Sequence, residues 1–310
     1  MRQIVYFLGT FVCIVCVLTA CAPAASTPPV SGGNATLPVA NANRGSQAAS
    51  PDSTGPHDTA LIVSAASDLI PAFEAIGPVF TAATGTPVVF NFGSSGLLAQ
   101  QIEQGAPVDV YASANRQYVQ ELLDGGHVVE DSVAAYGQGR ITLWLRADSA
   151  LDLTTLDELS NPAVTRIAIA NPEHAPYGMA ARQALQRAGL WETLQPQLIL
   201  GENVAATLQY VESGNVDVGI VALSLSLAAG PAGRWTLIPA DLHDPIEQTL
   251  AVVTRAPQPA AAHAFVAYVN SDAGRAVMRQ FGFVLPGEEL HTEELHSEDS
   301  PASVLENPAP

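Results

Sequence analysis

The chain has 310 residues, 48% of them apolar, which is enough for one or two packed lobes. Its formal net charge is −18, from 30 acidic and 12 basic residues, and every basic residue is an arginine. This balance excludes the basic footprint of a nucleic-acid binder; a chain this acidic can still hold an anion if the site uses neutral dipoles rather than salt bridges.

Arg2 precedes an apolar run over residues 4–18, which leads into Leu18-Thr19-Ala20-Cys21. The run is too short and too early for a transmembrane helix. The last four residues resemble the lipobox of bacterial lipoproteins. That resemblance implies a signal peptide over residues 1–20, an acylated Cys21 and an exported chain, lipid-anchored to the outer face of the cell membrane or periplasmic. Cys13 and Cys16 leave with the signal, so the mature chain has one cysteine and no internal disulfide. Residues 21–59 are small and polar, cannot bury enough surface to order themselves, and read as a tether spanning roughly 35 Å.

From residue 60 to residue 285 strands alternate with helices. A strand at 61–63 precedes a helix over 68–83, where Leu69, Phe73, Ile76 and Phe80 share one face. Pro71 falls in its first turn and Pro78 in its interior, where a kink is expected. A strand follows at 87–92, a helix at 97–104, a strand at 108–111 and a helix over 117–124 closed by Gly125-Gly126. Strands are expected at 141–145 and 166–170, then a helix over 178–188 closed by Gly189. Residues 197–200 lead into a helix over 204–213, followed by strands at 216–221, 235–238 and 249–253 and helices at 260–270 and 273–280. The pattern is α/β, with helices on both faces of parallel or mixed sheets. Trp144, Trp191 and Trp235 are expected in or near the core. Residues 286–310 form an acidic, solvated tail, in which His291 and His296 match no strong metal-site spacing.

The chemistry lies at the turns from strand to helix. Ala65-Ala66-Ser67-Asp68, Gly93-Ser94-Ser95-Gly96, Pro176-Tyr177-Gly178 and Glu202-Asn203-Val204 each open a helix. Helix starts carry unpaired N–H groups and a partial positive charge, and ligands of open α/β sheets bind beyond the carboxyl ends of the strands. Four converging starts make an anion cage without an arginine. Either serine alone is better explained as a helix cap, and the case for a site comes from the set. His174 lacks an accompanying nucleophile motif, since neither G-x-S-x-G nor H-E-x-x-H occurs. Asp109 reads as a structural hydrogen-bond partner or hinge.

Four stretches together resemble the molybdate-binding proteins of ABC importers: residues 63–69 (VSAASDL), 92–99 (FGSSGLLA), 101–109 (QIEQGAPVD) and 171–178 (NPEHAPYG). The resemblance implies a type II periplasmic-binding-protein fold with a ligand cleft between two α/β lobes. Lobe 1 is placed at about 60–138 and 248–285 and lobe 2 at about 139–247, with crossings near 138–141 and 246–250. By position, Ser67 and Ser95 give hydroxyl and N–H donors. Tyr177 and Val204 give backbone N–H donors, for which side-chain identity matters less. Ala222 stands where some members have a tyrosine, so a donor is lost, or Ser224 or a shifted neighbour replaces it. The Asp68 carboxylate is expected to turn away from the anion, toward its own helix start.

The implied function is capture of molybdate or tungstate and delivery to the permease and ATPase of an ABC importer, by a monomer without catalytic residues, cofactor or metal-cation ligands. Molybdate carries no proton at neutral pH, so a cage of donors suits it, whereas phosphate wants an acceptor. The alternative is another tetrahedral oxyanion such as sulfate. A third reading, a secreted serine hydrolase using Ser95 and His174, lacks its triad context.

Overall fold

The computed structural model describes residues 60–288. The signal segment, Cys21, the tether and all but the first three residues of the acidic tail lie outside the described residues. The first part runs β1 (Leu61–Ala66), α1 (Ile70–Thr84), β2 (Val88–Gly93), α2 (Ser95–Glu103), β3 (Val110–Ser113), α3 (Arg116–Asp124) and β4 (Ala134–Gly139). The middle runs β5 (Ile141–Arg146), β6 (Ile167–Ala170), α4 (Pro176–Arg187), α5 (Trp191–Leu194), β7 (Leu198–Gly201), α6 (Val204–Glu212), β8 (Val218–Ala222), α7 (Leu223–Ala229) and β9 (Gly233–Leu237). The chain ends on β10 (Ile246–Val252), α8 (Pro259–Val269) and α9 (Asp272–Gln280).

These strands build two mixed five-stranded sheets, in the orders β2-β1-β3-β10-β4 and β7-β6-β8-β5-β9. In the first, β1 is parallel to β2 and β3, while β10 lies antiparallel between β3 and β4. In the second, β6 is parallel to β7 and β8, while β5 lies antiparallel between β8 and β9. The chain passes from the first sheet to the second at Arg140 and returns over residues 238–245. Ile246 pairs with Gly139, so the two crossings run side by side. The second crossing thus precedes the position expected near 246–250. Residues 246–252 instead form a strand paired on both edges, with every residue but Glu247 buried.

The helical spacing of Leu69, Phe73, Ile76 and Phe80 is realised: all four side chains are fully buried, and Phe73 and Phe80 meet Phe265 of α8 edge to face. Ser67–Leu69 is a single 3-10 turn, with Pro71 in the first turn of the α-helix that follows. Pro78 lies inside α1 on its exposed side, where a missing N–H is least costly. In the second lobe Trp144 and Trp235 are buried cross-strand neighbours on β5 and β9, and Trp191 packs partly buried against the core. Three elements were not expected from sequence: β4, the one-turn α5, and α7.

Candidate functional site

Four helix starts meet between the two sheets. Ser67 follows β1, Ser95 is the first residue of α2, Tyr177 the second of α4 and Val204 the first of α6. With Asp68, Ser94 and Asn203 they line one small cavity of about 10 Å³, room for about one water molecule. None of its lining residues is basic. A groove of about 690 Å³ elsewhere on the second lobe, lined by Leu143, Leu156, Leu237 and Ile238, receives none of these helix starts.

Each proposed donor is held by its fold rather than by a salt bridge. First-turn N–H groups have no partner within their own helix, and those of Ser67, Ser95, Tyr177 and Val204 find no acceptor among the described residues. The Ser95 hydroxyl accepts from the Ala114 N–H (3.0 Å), and the Ser67 hydroxyl accepts from the Ala205 N–H of the opposite lobe (3.3 Å). Each hydroxyl therefore keeps its own proton to donate. The caps sit next door. Ser94 is the N-cap of α2 but makes no side-chain cap bond, whereas Asn203 caps α6 by accepting from the Ala206 N–H.

Asp68 overturns one expectation. Its carboxylate does not bend to its own helix start; it lies fully buried where the lobes meet. Oδ2 accepts from the Tyr177 hydroxyl of the second lobe (2.9 Å) and from Gln248 Nε2 of the first (2.7 Å). Oδ1 is buried with no partner among the described residues. Burial pushes the carboxyl up to about 6, against the opposing hydrogen bonds from Gln248 and Tyr177. Burial and the Asp68 charge hold the Tyr177 hydroxyl well above its ordinary value, so it stays a donor. Side-chain identity at Tyr177 therefore does matter. Gly139, at the first crossing, is glycine for the same reason: a Cβ there would stand 2.2 Å from the Tyr177 hydroxyl.

Gln248 and Tyr136 complete this array and were not singled out from sequence. Between Gln248 and Thr249 the register against β4 slips by one residue, leaving Tyr136 unpaired opposite the slip. A bulge of this kind re-aims a side chain, and the Tyr136 hydroxyl donates to Gln248 Oε1 (2.7 Å). The available signal was Gln248 itself, a polar residue directly before the strand expected at 249–253, and buried with it.

Ser224 is also committed. Its hydroxyl donates to the Asp68 carbonyl (2.7 Å), and neither Ser224 nor Ala222 lines the cavity. The donor missing at Ala222 is therefore not restored by Ser224. The His174 ring meets Ser94, not Ser95 (2.8 Å), and the Ser94 hydroxyl donates to the His174 carbonyl (2.6 Å). The same carbonyl accepts from the Gly96 N–H (3.0 Å). This loop docks onto the start of α2 and forms no Ser95–His174 pair. Asp109 is structural: its two oxygens accept from the N–H groups of Ile62 and Gln258 (2.8 and 2.7 Å).

The arrangement can surround a small anion with hydroxyl and peptide donors drawn from both lobes. A family model described as bacterial extracellular solute-binding protein matches residues 61–284. The chain is 31% identical over 224 residues to the molybdate-binding protein ModA of Rhodobacter capsulatus, covering 72% of this chain and 88% of that protein. It is likewise 31% identical over 230 residues to ModA of Escherichia coli strain K12, covering 73% and 89%. Among solved structures it is similar to the periplasmic molybdate-binding protein of Azotobacter vinelandii, with a TM-score of 0.69, 31% identity, and coverage of 73% of this chain and 99% of that one.

Proposed function

The chain belongs to the bacterial extracellular solute-binding proteins, and from that premise we propose that it captures molybdate or tungstate between its lobes for an ABC importer. The fold is the type II periplasmic-binding-protein fold, two α/β lobes joined by two crossings. One observation carries the choice of ligand class: four helix starts and two serine hydroxyls present unpaired donors to one cavity with no basic residue in its wall. Donors of this kind match a fully deprotonated tetrahedral dianion. Ser67 and Ser95 supply hydroxyl and N–H donors, and Tyr177 and Val204 supply N–H donors. The relatives named for molybdate support the same choice.

We read no catalytic role in the cleft, because Ser95 has no histidine partner and the Ser94 hydroxyl, beside the His174 ring, donates to the His174 carbonyl. The chain is proposed to work as a monomer tethered through Cys21, with the permease and ATPase of the importer as partners. A tetrahedral oxyanion is proposed to seat in this small cavity, between walls drawn from both lobes. Seating one shifts the walls outward, and the long Ser67–Ala205 hydrogen bond is the contact expected to open.

The test is thermal unfolding of ligand-free protein with molybdate, tungstate, sulfate or phosphate added separately. An anion present at ~100-fold its dissociation constant adds about 2.7 kcal/mol to the folded state. Stabilisation by molybdate and tungstate alone supports the proposal. Equal stabilisation by sulfate keeps the oxyanion class and removes the molybdate assignment, and no stabilisation by any of them removes the reading altogether.

A further inference from the structure

Asp68 is the one group at the cleft that an anion cage does not call for. Its carboxyl group is fully buried, adjoins the Ser67 donors in sequence and belongs to a residue lining the same cavity. The groups facing it are Tyr177 from α4, Gln248 from β10, Tyr136 from β4 and the Ser224 hydroxyl on its backbone carbonyl from α7. Both tyrosines are held protonated by burial, and no arginine or histidine pairs with the carboxyl among the described residues. An ionised Asp68 beside a dianion places three like charges in one water-poor space with no cation to offset them.

We propose that the protein takes up one proton with each dianionic oxyanion it captures, the proton residing on the Asp68 carboxyl group. The inference rests on the oxyanion reading above. The proton comes from solvent and forms a bond to Oδ1, since Oδ2 already accepts two hydrogen bonds. No bond in the cargo breaks, and the loaded site carries the charge of the anion alone. Burial already pushes this carboxyl up to about 6, so the ligand-free site is mostly ionised at neutral pH and a dianion beside it raises the group further.

Linkage sets the sign. In the pH range between the free and loaded values, affinity rises as pH falls, by up to ~tenfold per unit, and levels off below the free value. Calorimetric titration of the full chain with molybdate near about pH 7.5, in buffers of different ionisation enthalpy, counts the protons bound. The expected result is uptake approaching one proton per anion, with affinity tightening on acidification toward about pH 6. Asp68→Asn is expected to bind with no uptake and a flat profile. Wild-type binding without proton uptake and at pH-independent affinity overturns the inference while leaving the oxyanion reading intact. Undiminished uptake in Asp68→Asn overturns it as well. Failure of every oxyanion to bind at any pH removes the oxyanion reading and this inference together. The wild-type count decides the matter even if the variant does not fold.

Discussion

The hydroxyl of Tyr177 is a single group that ties the second lobe to the first. It donates to Asp68 and accepts from Gln248 Nε2 (3.0 Å), with all three side chains buried. Tyr177→Phe keeps the ring and the N–H donor but leaves Asp68 Oδ2 with one hydrogen bond in place of two. A buried hydrogen bond of this type contributes about 1–2 kcal/mol, so oxyanion affinity is expected to fall roughly tenfold with the secondary structure unchanged. Titration calorimetry beside circular dichroism reads both, and wild-type affinity in the variant removes the hydroxyl from closure. At this scale the sequence reaches the place of Tyr177 in a helix start and not its side-chain contacts. The N–H of Tyr177 follows from its place in a helix start, whereas its side-chain partners lie 109 and 71 residues away, and no local pattern announces them.

Helix starts were legible because their signals are local: Ser, Asn and Pro at the first turn, with apolar residues at helical spacing behind them. β4 was not, since Ala134-Ala135-Tyr136-Gly137-Gln138-Gly139 has weak strand propensity. It becomes a strand through pairing with β10 and through the Gln138–Val284 bridge to the C-terminal segment. α7 starts directly from β8 with no N-cap side chain to mark it. The helix starts also permit an unusually direct test. Val204 is the first residue of α6, and Asn203 before it is extended at φ −147° and ψ 176°. Proline is tolerated at a first helical position, and an extended residue suits the position before it. Val204→Pro therefore deletes one N–H donor and leaves the helix standing. A hydrogen bond to a charged group contributes about 1.5–3 kcal/mol, so affinity is expected to drop ~10- to ~100-fold while α6 persists. Unchanged affinity removes the Val204 N–H from the cage.

The whole molecule carries a net charge of −18 and is proposed to collect an anion. Its long-range field opposes the encounter, and attraction begins only within reach of the helix starts. Added monovalent salt screens that field, since the Debye length shrinks to ≈ 8 Å at about 0.15 M. The association rate with molybdate is therefore expected to rise with ionic strength, opposite to a site built from arginines; stopped-flow fluorescence measures it. A rate that falls with salt locates a dominant positive field at the cleft and contradicts the dipole cage. The two-sheet plan also imposes an order on assembly. The second sheet is formed by one uninterrupted stretch, β5 to β9, so it is complete once residue 237 is available. The first is not, because among the described residues β10 alone joins β4 to the β2-β1-β3 group. A chain emerging from its N-terminus first can finish the later-encoded lobe while the earlier one waits, its edge open, for the final segment to thread between β3 and β4. Until then two of the four helix starts, at Ser67 and Ser95, have no finished sheet behind them, and the cleft comes into being only with the last quarter of the polypeptide.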